Sequence, residues 1–197
     1  MTNILCQIND EGFTEKPTDI RFYGKLRDKM IQRPWSYLPE DEFIDKVTNK
    51  GFAFYGNLFD GHDLMETGQQ RLCWRAQTLV GVDIDKTTAD PYRMSHFYME
   101  MGLMPWMTYK TFSDGKDGLR SYRLLWKVEV THNVTYEQWA EVIKRLSTLT
   151  EHGDPHARDC TRMWQGSNQG VAWLVPGSSP WSYEEFASKL DLTKGSQ

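Results

Sequence analysis

The sequence lacks several features that assign a chain to a large class of proteins. It has only three cysteines in 197 residues, and Cys6, Cys73 and Cys160 lie far apart with no C-x-x-C pair. This pattern argues against a disulfide framework and a zinc ribbon. No run approaches the roughly 18 apolar residues of a membrane span, and the start lacks the basic and apolar segments of a signal peptide. We therefore expect a cytoplasmic protein without a membrane anchor.

Motifs of several enzyme classes are also missing, and positive charge is scarce. The absence of G-x-x-x-x-G-K-[ST] excludes a P-loop ATPase. The hydrolase motifs G-x-S-x-G and H-E-x-x-H do not occur either, so nothing indicates a hydrolase. His152 and His156 are four residues apart, but Gly153 and Pro155 break the helix that would align them on zinc. With 23 basic and 27 acidic residues the net charge is -4, which excludes a uniformly basic DNA-binding surface. Any contact with polyanions must be local.

The remaining composition is typical of one globular domain. Hydrophobic residues make up 39% of the chain and charged residues 25%, and folding at this length buries roughly 70% of the extended chain's surface. No repeat or linker divides the sequence, so we predict a single domain over residues 1–197 with an α+β or α/β plan. Periodicity, capping and turn residues predict helices over 39–51, 89–102, 135–153 and 182–190, and strands over 52–59, 78–85, 106–113, 121–130 and 171–175.

Two acidic residues close the apolar strand predicted over residues 78–85. Asp83 and Asp85 are two positions apart, so their side chains point to the same face of a strand. Two adjacent carboxylates on a buried strand need a cation, and carboxylate oxygens favour Mg²⁺ or Mn²⁺. Gly81, on the same face, is expected to leave room for a ligand. The alternative is that the strand ends at Ile84 and that Asp85 lies in a solvated turn.

A third carboxylate would complete a two-metal site of the kind that performs phosphoryl transfer. Asp154 is the first candidate. It follows a predicted helix in the sequence H-G-D-P, whose Gly and Pro predict a tight loop that could direct its side chain inward. Asp159 is its rival for the same role. The alternative for Asp154 is an exposed turn residue at the end of the helix.

Positive charge that would complement these acids lies in the predicted hairpin. Residues 108–127 hold five basic and two acidic side chains, a local charge of +3. Strand alternation predicts that Arg123 lies on an open face, free to bind triphosphate oxygens, whereas we expect Lys116 and Lys127 to be solvated. Arg162, eight residues after Asp154, is a second candidate for phosphate, although Asp159 is an equally plausible ion-pair partner.

The order of these motifs, from about Gln70 to Trp173, resembles the archaeo-eukaryotic primase superfamily of primase-polymerases, especially the replication primases of plasmids and phages. The family's first motif is similar to QTLVGVDID, which implies that Asp83 and Asp85 are metal ligands. The second-motif region is similar to TYKTFSDGKDGLRSYRLLWKVE, which implies that Ser113 and Arg123 hold the phosphates of the incoming nucleotide.

The third motif of the family is similar to GDPHARDCTRMWQGSNQG. The resemblance implies that Asp154 is the remaining metal ligand and that Arg162 lies near nucleotide or template. Lys110, in the second-motif region, is counted with the nucleotide-binding residues. Many members carry Ser-x-His in the second motif, and here no His follows Ser113 closely, whereas the Arg of the replication-protein branch is matched by Arg123.

This resemblance implies an RRM-like primase-polymerase core of α+β class, with a mixed or antiparallel sheet and flanking helices. It implies synthesis of primers on a single-stranded DNA template from nucleoside triphosphates, with two Mg²⁺ or Mn²⁺ ions as cofactors. A replicative helicase is a further partner that it implies, in a prokaryotic or viral host cytosol. Two alternatives stay open: a non-catalytic nucleic-acid-binding module of replication initiation, and a metal-dependent nuclease.

Overall fold

The computed structural model describes residues 3–60, 70–157 and 159–192, which form ten strands and six α-helices. No helix in this part is long and apolar enough to cross a bilayer. The predicted domain, 1–197, reaches beyond these residues and stays a prediction. The helices are α1 (Ile20–Ile31), α2 (Glu40–Thr48), α3 (Gln70–Cys73), α4 (Pro91–Glu100), α5 (Tyr136–Thr148) and α6 (Tyr183–Lys189). The strands are β1 (Asn3–Gly12), β2 (Ser36–Pro39), β3 (Phe52–Tyr55), β4 (Asn57–Phe59), β5 (Trp74–Gln77), β6 (Leu79–Thr87), β7 (Met107–Lys110), β8 (Arg120–Lys127), β9 (Met163–Trp164) and β10 (Val171–Leu174).

The strands form three antiparallel sheets, ordered β2-β1-β3-β9, β10-β7-β8-β6 and β4-β5. The second sheet is built from the chain order β6-α4-β7-β8-α5, which is the strand-helix-strand-strand-helix order of an RRM-like core. The predicted α+β class with an antiparallel sheet and flanking helices is confirmed.

The sheet β10-β7-β8-β6 separates two hydrophobic cores. Val80 and Ile84 of β6 point into a core shared with α4 and α5. Leu79 points the other way, into a core shared with β1, β3 and α2. Because side chains alternate along a strand, Gly81 and Asp83 lie on the same face as Leu79. The first of the two predicted metal ligands therefore faces the sheet β2-β1-β3-β9 rather than the helices.

All the elements predicted between residues 39 and 190 except the strand over 52–59 are present, with ends that differ by a few residues. At the start of α5 the Thr135 hydroxyl accepts the Gln138 N–H and the Gln138 side chain accepts the Thr135 N–H, which is the predicted capping box. The prediction of one strand over 52–59 is wrong. Its chain turns at Gly56, whose carbonyl accepts the N–H groups of Thr78 and Leu79, so β3 and β4 belong to different sheets.

The first third of the chain contributes β1, α1 and β2, none of which was predicted from the sequence. Ile4, Cys6 and Ile8 are buried at alternate positions of β1, which is the period of a strand. The side chain of Asp19 accepts the Arg21 N–H and caps the start of α1. The alternating apolar residues of β1 and the N-cap Asp19 are both visible in the sequence. Asp19 fixes the start of α1, a helix that lines the candidate site.

Lys127, which we expected to be solvated, is buried in an ion pair, so that expectation is wrong. Its Nζ lies 3.0 Å from Oε2 of Glu40, and Oε1 of Glu40 accepts hydrogen bonds from Trp106 Nε1 and the Gly177 N–H, both at 3.0 Å. Burial by itself raises the pKa of Glu40, but the hydrogen bonds from Gly177, Lys127 and Trp106 outweigh it and hold that pKa below its usual value. This pair ties the start of α2 to β8.

We expect Glu40→Gln to lower the free energy of unfolding at pH 7 by about 1–3 kcal/mol, because Lys127 stays buried without a carboxylate. A carboxyl group with a depressed pKa stabilises the fold above its unfolded value of about 4.3 and loses that contribution as pH falls through the folded value. The difference between wild type and variant should therefore shrink below about pH 4 in urea unfolding curves. Glu42→Gln, at an exposed position of the same helix, is the control, and a difference that does not change with pH would contradict the assignment.

Candidate active site

A cleft of about 520 Å³ brings together five of the seven predicted site residues. Its size lies within the range of about 300–1,000 Å³ that is usual for small-molecule sites. The predicted residues that line it are Asp83, Asp85, Ser113, Arg123 and Arg162. The other lining residues are Lys16, Tyr23, Gly24, Arg27, Thr111, Phe112, Met163, Gln165 and Gly166.

Asp83 and Arg123 form a buried ion pair in this cleft. They are partners in the register of β6 and β8, and each is 6% exposed. Arg123 Nε donates to Asp83 Oδ1 at 2.5 Å, and Arg123 Nη1 donates to the Tyr109 hydroxyl at 2.6 Å and to the Gln165 carbonyl at 3.1 Å. Burial favours a lower pKa for Arg123, but the Asp83 carboxylate and Tyr109 outweigh it and the pKa is raised. The expectation that Arg123 is free is wrong, because the register places it opposite Asp83.

The indole of Trp164 fills the space beside Gly81. A Cβ built on Gly81 would lie 1.5 Å from the Trp164 ring. The same ring lies against the Arg123 guanidinium, with 5.0 Å between its centroid and the guanidinium carbon. The prediction that Gly81 leaves room for a ligand is wrong: the glycine accommodates an aromatic side chain that β9 brings in through its pairing with β3.

Asp85 lies on a bulge of β6 and is exposed to the cleft. The register between β6 and β8 shifts between Ile84 and Thr87, and Lys86 has a φ of 53°. The alternative that the strand ends at Ile84 is wrong, since β6 continues to Thr87. Within the described residues Asp85 makes no hydrogen bond or ion pair. Bulges commonly re-aim side chains beside functional sites, and this one leaves the Asp85 carboxylate open to a ligand.

Ser113 is held at the cleft by a closed loop between β7 and β8. Asp114 Oδ1 accepts hydrogen bonds from Arg120 Nε at 2.8 Å and from the Ser121 N–H at 3.0 Å, and Arg120 Nη2 donates to Oδ2 at 3.1 Å. The hydrogen bond to Asp114 raises the pKa of Arg120. The Asp114 N–H donates to the Thr111 carbonyl, which closes the turn that contains Ser113. The loop therefore presents Ser113 at the cleft.

Asp154 lies next to β6 but does not line the cleft. Its N–H donates to the Asp83 carbonyl at 2.9 Å, and its Oδ1 accepts the His156 N–H at 2.8 Å. The carboxylate thus caps its own loop. In residues 3–60, 70–157 and 159–192, no three His, Cys, Asp or Glu side chains converge as ligands of one ion.

Arg162 turns toward Asp83 rather than toward Asp159. Its Nη2 lies 3.6 Å from Asp83 Oδ2, and its Nη1 donates to the His156 carbonyl at 2.9 Å. The carboxylate of Asp159 accepts hydrogen bonds from its neighbour Thr161 and from the Tyr136 hydroxyl, all between 2.8 and 2.9 Å. Arg162 was predicted either to bind phosphate or to pair with Asp159. In the structure its guanidinium does not pair with Asp159 and instead adds a positive charge to the cleft.

Lys110 is the other predicted residue outside the cleft. It follows Tyr109, whose hydroxyl meets Arg123 on the cleft side of β7, so the alternation of the strand turns Lys110 to the opposite face. The Lys110 carbonyl accepts a hydrogen bond from the Ser167 hydroxyl and holds the loop after β9. The structure therefore gives the Lys110 side chain no place beside Arg123.

Sequence reasoning missed the wall of the cleft that comes from the first third of the chain. Lys16, Tyr23 and Arg27 line the cleft, and the last two lie on α1. Leu26, Met30 and Ile31 are buried along α1, so its helical period was a signal for the helix, but no local signal showed what the helix faces. Together the cleft holds four cations, Lys16, Arg27, Arg123 and Arg162, against two carboxylates.

No protein-family model and no curated protein matches this sequence. Among solved structures, the chain is similar to the archaeo-eukaryotic primase (AEP) domain of the primase-polymerase of cyanophage S-2L. The sequences are 14% identical, the match covers 96% of this chain and 89% of that chain, and the TM-score is 0.51. At this identity the similarity concerns the fold. The protein therefore has an α+β fold similar to that of a primase-polymerase AEP domain.

Proposed function

We propose that this protein is a primase-polymerase, a metal-dependent nucleotidyltransferase that joins nucleotides on a single-stranded DNA template. The observation that carries the proposal is that one cleft gathers Asp83 and Asp85 with the cations Arg123 and Arg162 and the hydroxyl of Ser113. The similarity in fold to an AEP domain supports it. Carboxylates for divalent metal and guanidinium groups for phosphate are the two groups of side chains that phosphoryl transfer requires.

The donor set of the cleft fits Mg²⁺ or Mn²⁺. Asp83 and Asp85 offer carboxylate oxygens, the ligands that these hard ions prefer. Asp85 has no competing partner among the described residues, while Asp83 is shared with Arg123 and Arg162. Asp154 is proposed as a third ligand because its N–H is hydrogen-bonded to the Asp83 carbonyl; its carboxylate would have to leave the His156 N–H and turn toward Asp83 and Asp85. Ions bound there would supply the positive charge that activates a 3′-hydroxyl and stabilises the departing pyrophosphate.

The phosphates of a nucleoside triphosphate are proposed to bind beside these carboxylates. Arg123 uses Nε and Nη1 within the protein, and its Nη2 donates to none of the described residues. Arg162 lies 3.6 Å from Asp83 at a partly exposed position. Both guanidinium groups, with the Ser113 hydroxyl, are thus placed to donate to phosphate oxygens. The single-stranded template is proposed to bind locally, since the chain as a whole is acidic.

Primer synthesis tests the proposal directly. The full chain is incubated with single-stranded DNA, labelled nucleoside triphosphates and Mg²⁺ or Mn²⁺, and we expect labelled oligonucleotides that disappear when the metal is chelated. Shortening of labelled DNA without added nucleotides would indicate a nuclease and overturn the proposal. DNA binding that persists without metal and without any incorporation would indicate a non-catalytic module and overturn it as well.

A further inference from the structure

Gly24, inside α1, is a glycine that the fold itself does not require. Each of the other described glycines either has a positive φ or would bring a Cβ within 3 Å of another residue. At Gly24 the φ is not positive, and a Cβ would meet no heavy atom of the described residues within 4 Å outside its own turn of helix. Glycine is among the weakest helix formers in a helix interior. Neither backbone conformation nor packing within residues 3–60, 70–157 and 159–192 accounts for this glycine.

The open space beside Gly24 belongs to the cleft of Asp83 and Asp85. Gly24 lines that cleft together with Tyr23 before it and Arg27 one turn later. Glycine is the residue that lets a ligand approach the backbone closely. A side chain at this position would occupy volume that now belongs to the cleft.

The surface around Gly24 differs from the phosphate side of the cleft. Arg123, Arg162 and Ser113 offer donors for phosphate oxygens, whereas Tyr23 brings an aromatic ring to the wall beside Gly24. Burial raises the pKa of the Tyr23 hydroxyl, and the charges of Arg123 and Arg162 oppose this increase. Tyr23 lines the same cleft as these two arginines. Aromatic rings stack on nucleobases of any sequence.

We propose that α1 is the wall against which the base and sugar of a nucleoside triphosphate pack, with Gly24 at the point of closest approach. The inference rests on the proposed function, whose phosphate site fixes the other end of the ligand. Tyr23 stacks on the nucleoside, and Arg27 adds positive charge at the rim of the same wall.

The test compares two ligands and three variants by calorimetric titration in the presence of Mg²⁺. The ligands are dATP and inorganic tripolyphosphate, which lacks the nucleoside. We expect Gly24→Leu to weaken dATP binding about tenfold or more, because the larger side chain overpacks the wall, and to leave tripolyphosphate binding unchanged. Gly24→Ala should raise the Tm by about 2–4 °C, because alanine is the better helix former, and should weaken dATP binding less. Lys25→Leu, at the exposed neighbouring position outside the cleft, should change neither affinity.

Three results would overturn the inference while the proposed function stands, and a fourth would overturn both. Unchanged dATP affinity in Gly24→Leu, with clear binding by the wild type, would show that the wall does not meet the nucleoside and would leave the proposed function standing. An equal loss of tripolyphosphate affinity would place phosphate, not the nucleoside, at α1. A lower Tm in Gly24→Ala would show that the fold itself needs this glycine. Failure of the wild type to bind either ligand would overturn the proposed function together with the inference.

Discussion

Replacing Asp85 by asparagine should lower the rate of primer synthesis by about a hundredfold or more, because one metal ligand is worth several kcal/mol of transition-state stabilisation. The stability of the fold should not change. Asp85 is exposed and has no hydrogen-bond or ion-pair partner among the described residues, so the free energy of unfolding should stay within about 0.5 kcal/mol of the wild type. Initial rates of nucleotide incorporation and urea unfolding curves measure the two effects separately.

Asp117→Asn is the matched control for this variant. Asp117 is an exposed carboxylate on the loop between β7 and β8, and it does not line the cleft. It should keep both the rate and the stability of the wild type. Titration of Mn²⁺ followed by electron paramagnetic resonance should show weaker binding to Asp85→Asn alone. Normal Mn²⁺ affinity and normal rates in Asp85→Asn would remove Asp85 from the proposed metal site.

Asp83→Ala should lower the free energy of unfolding by about 3–5 kcal/mol, because it leaves a buried cation without its partner. Arg123 is 6% exposed and its Nε bonds directly to Asp83. Tyr109 and the Gln165 carbonyl remain as hydrogen-bond partners, but neither neutralises the charge. Urea unfolding at pH 7 measures the loss, and Asp85→Ala serves as the control, since that carboxylate is exposed.

The double variant Asp83→Leu, Arg123→Met separates the cost of an unpaired charge from the worth of the pair. Buried ion pairs exchanged for apolar side chains of similar volume are often neutral in stability, so the double variant should recover most of the loss. A double-mutant cycle then gives the coupling between the two side chains. If Asp83→Ala is as stable as the wild type, the pair does not hold β6 and β8 together in solution, and Arg123 is free to bind phosphate, as its strand pattern predicted.

For Asp83 and Asp85, the local sequence pattern predicted the face of the strand on which they lie but not their surroundings. The alternation of a strand was enough to predict that Asp83 and Asp85 share a face, and both line the cleft. It was not enough to predict their different environments. Asp83 is neutralised by Arg123 because the register of β6 and β8 sets them opposite each other, and Asp85 is exposed beside a bulge with a positive φ at Lys86. Register and bulges depend on neighbouring strands, which the pattern of a single strand does not contain.

The environment of Gly81 likewise could not be predicted from its own strand, because it depends on a residue distant in sequence. A glycine on the acidic face of a strand is consistent with a ligand or with a close neighbour, and only the pairing of β3 with β9 shows that the neighbour is Trp164. Lys127 was similarly expected to be solvated from its strand alone, whereas its partner Glu40 is 87 positions away in the chain.

The sequence by itself determined an α+β or α/β plan, most of the central elements and the set of acids and arginines that carry the proposed chemistry, because periodicity, capping and charge are local properties. The tertiary structure alone decided that α1 forms a wall of the cleft, that Arg123 neutralises Asp83, and that Lys110 and the Asp154 side chain lie outside the cleft. The physical reason is that these relations join residues distant in sequence through register and packing. Local side-chain patterns determine on which face of a strand or helix a residue lies, but not which other residues contact that face.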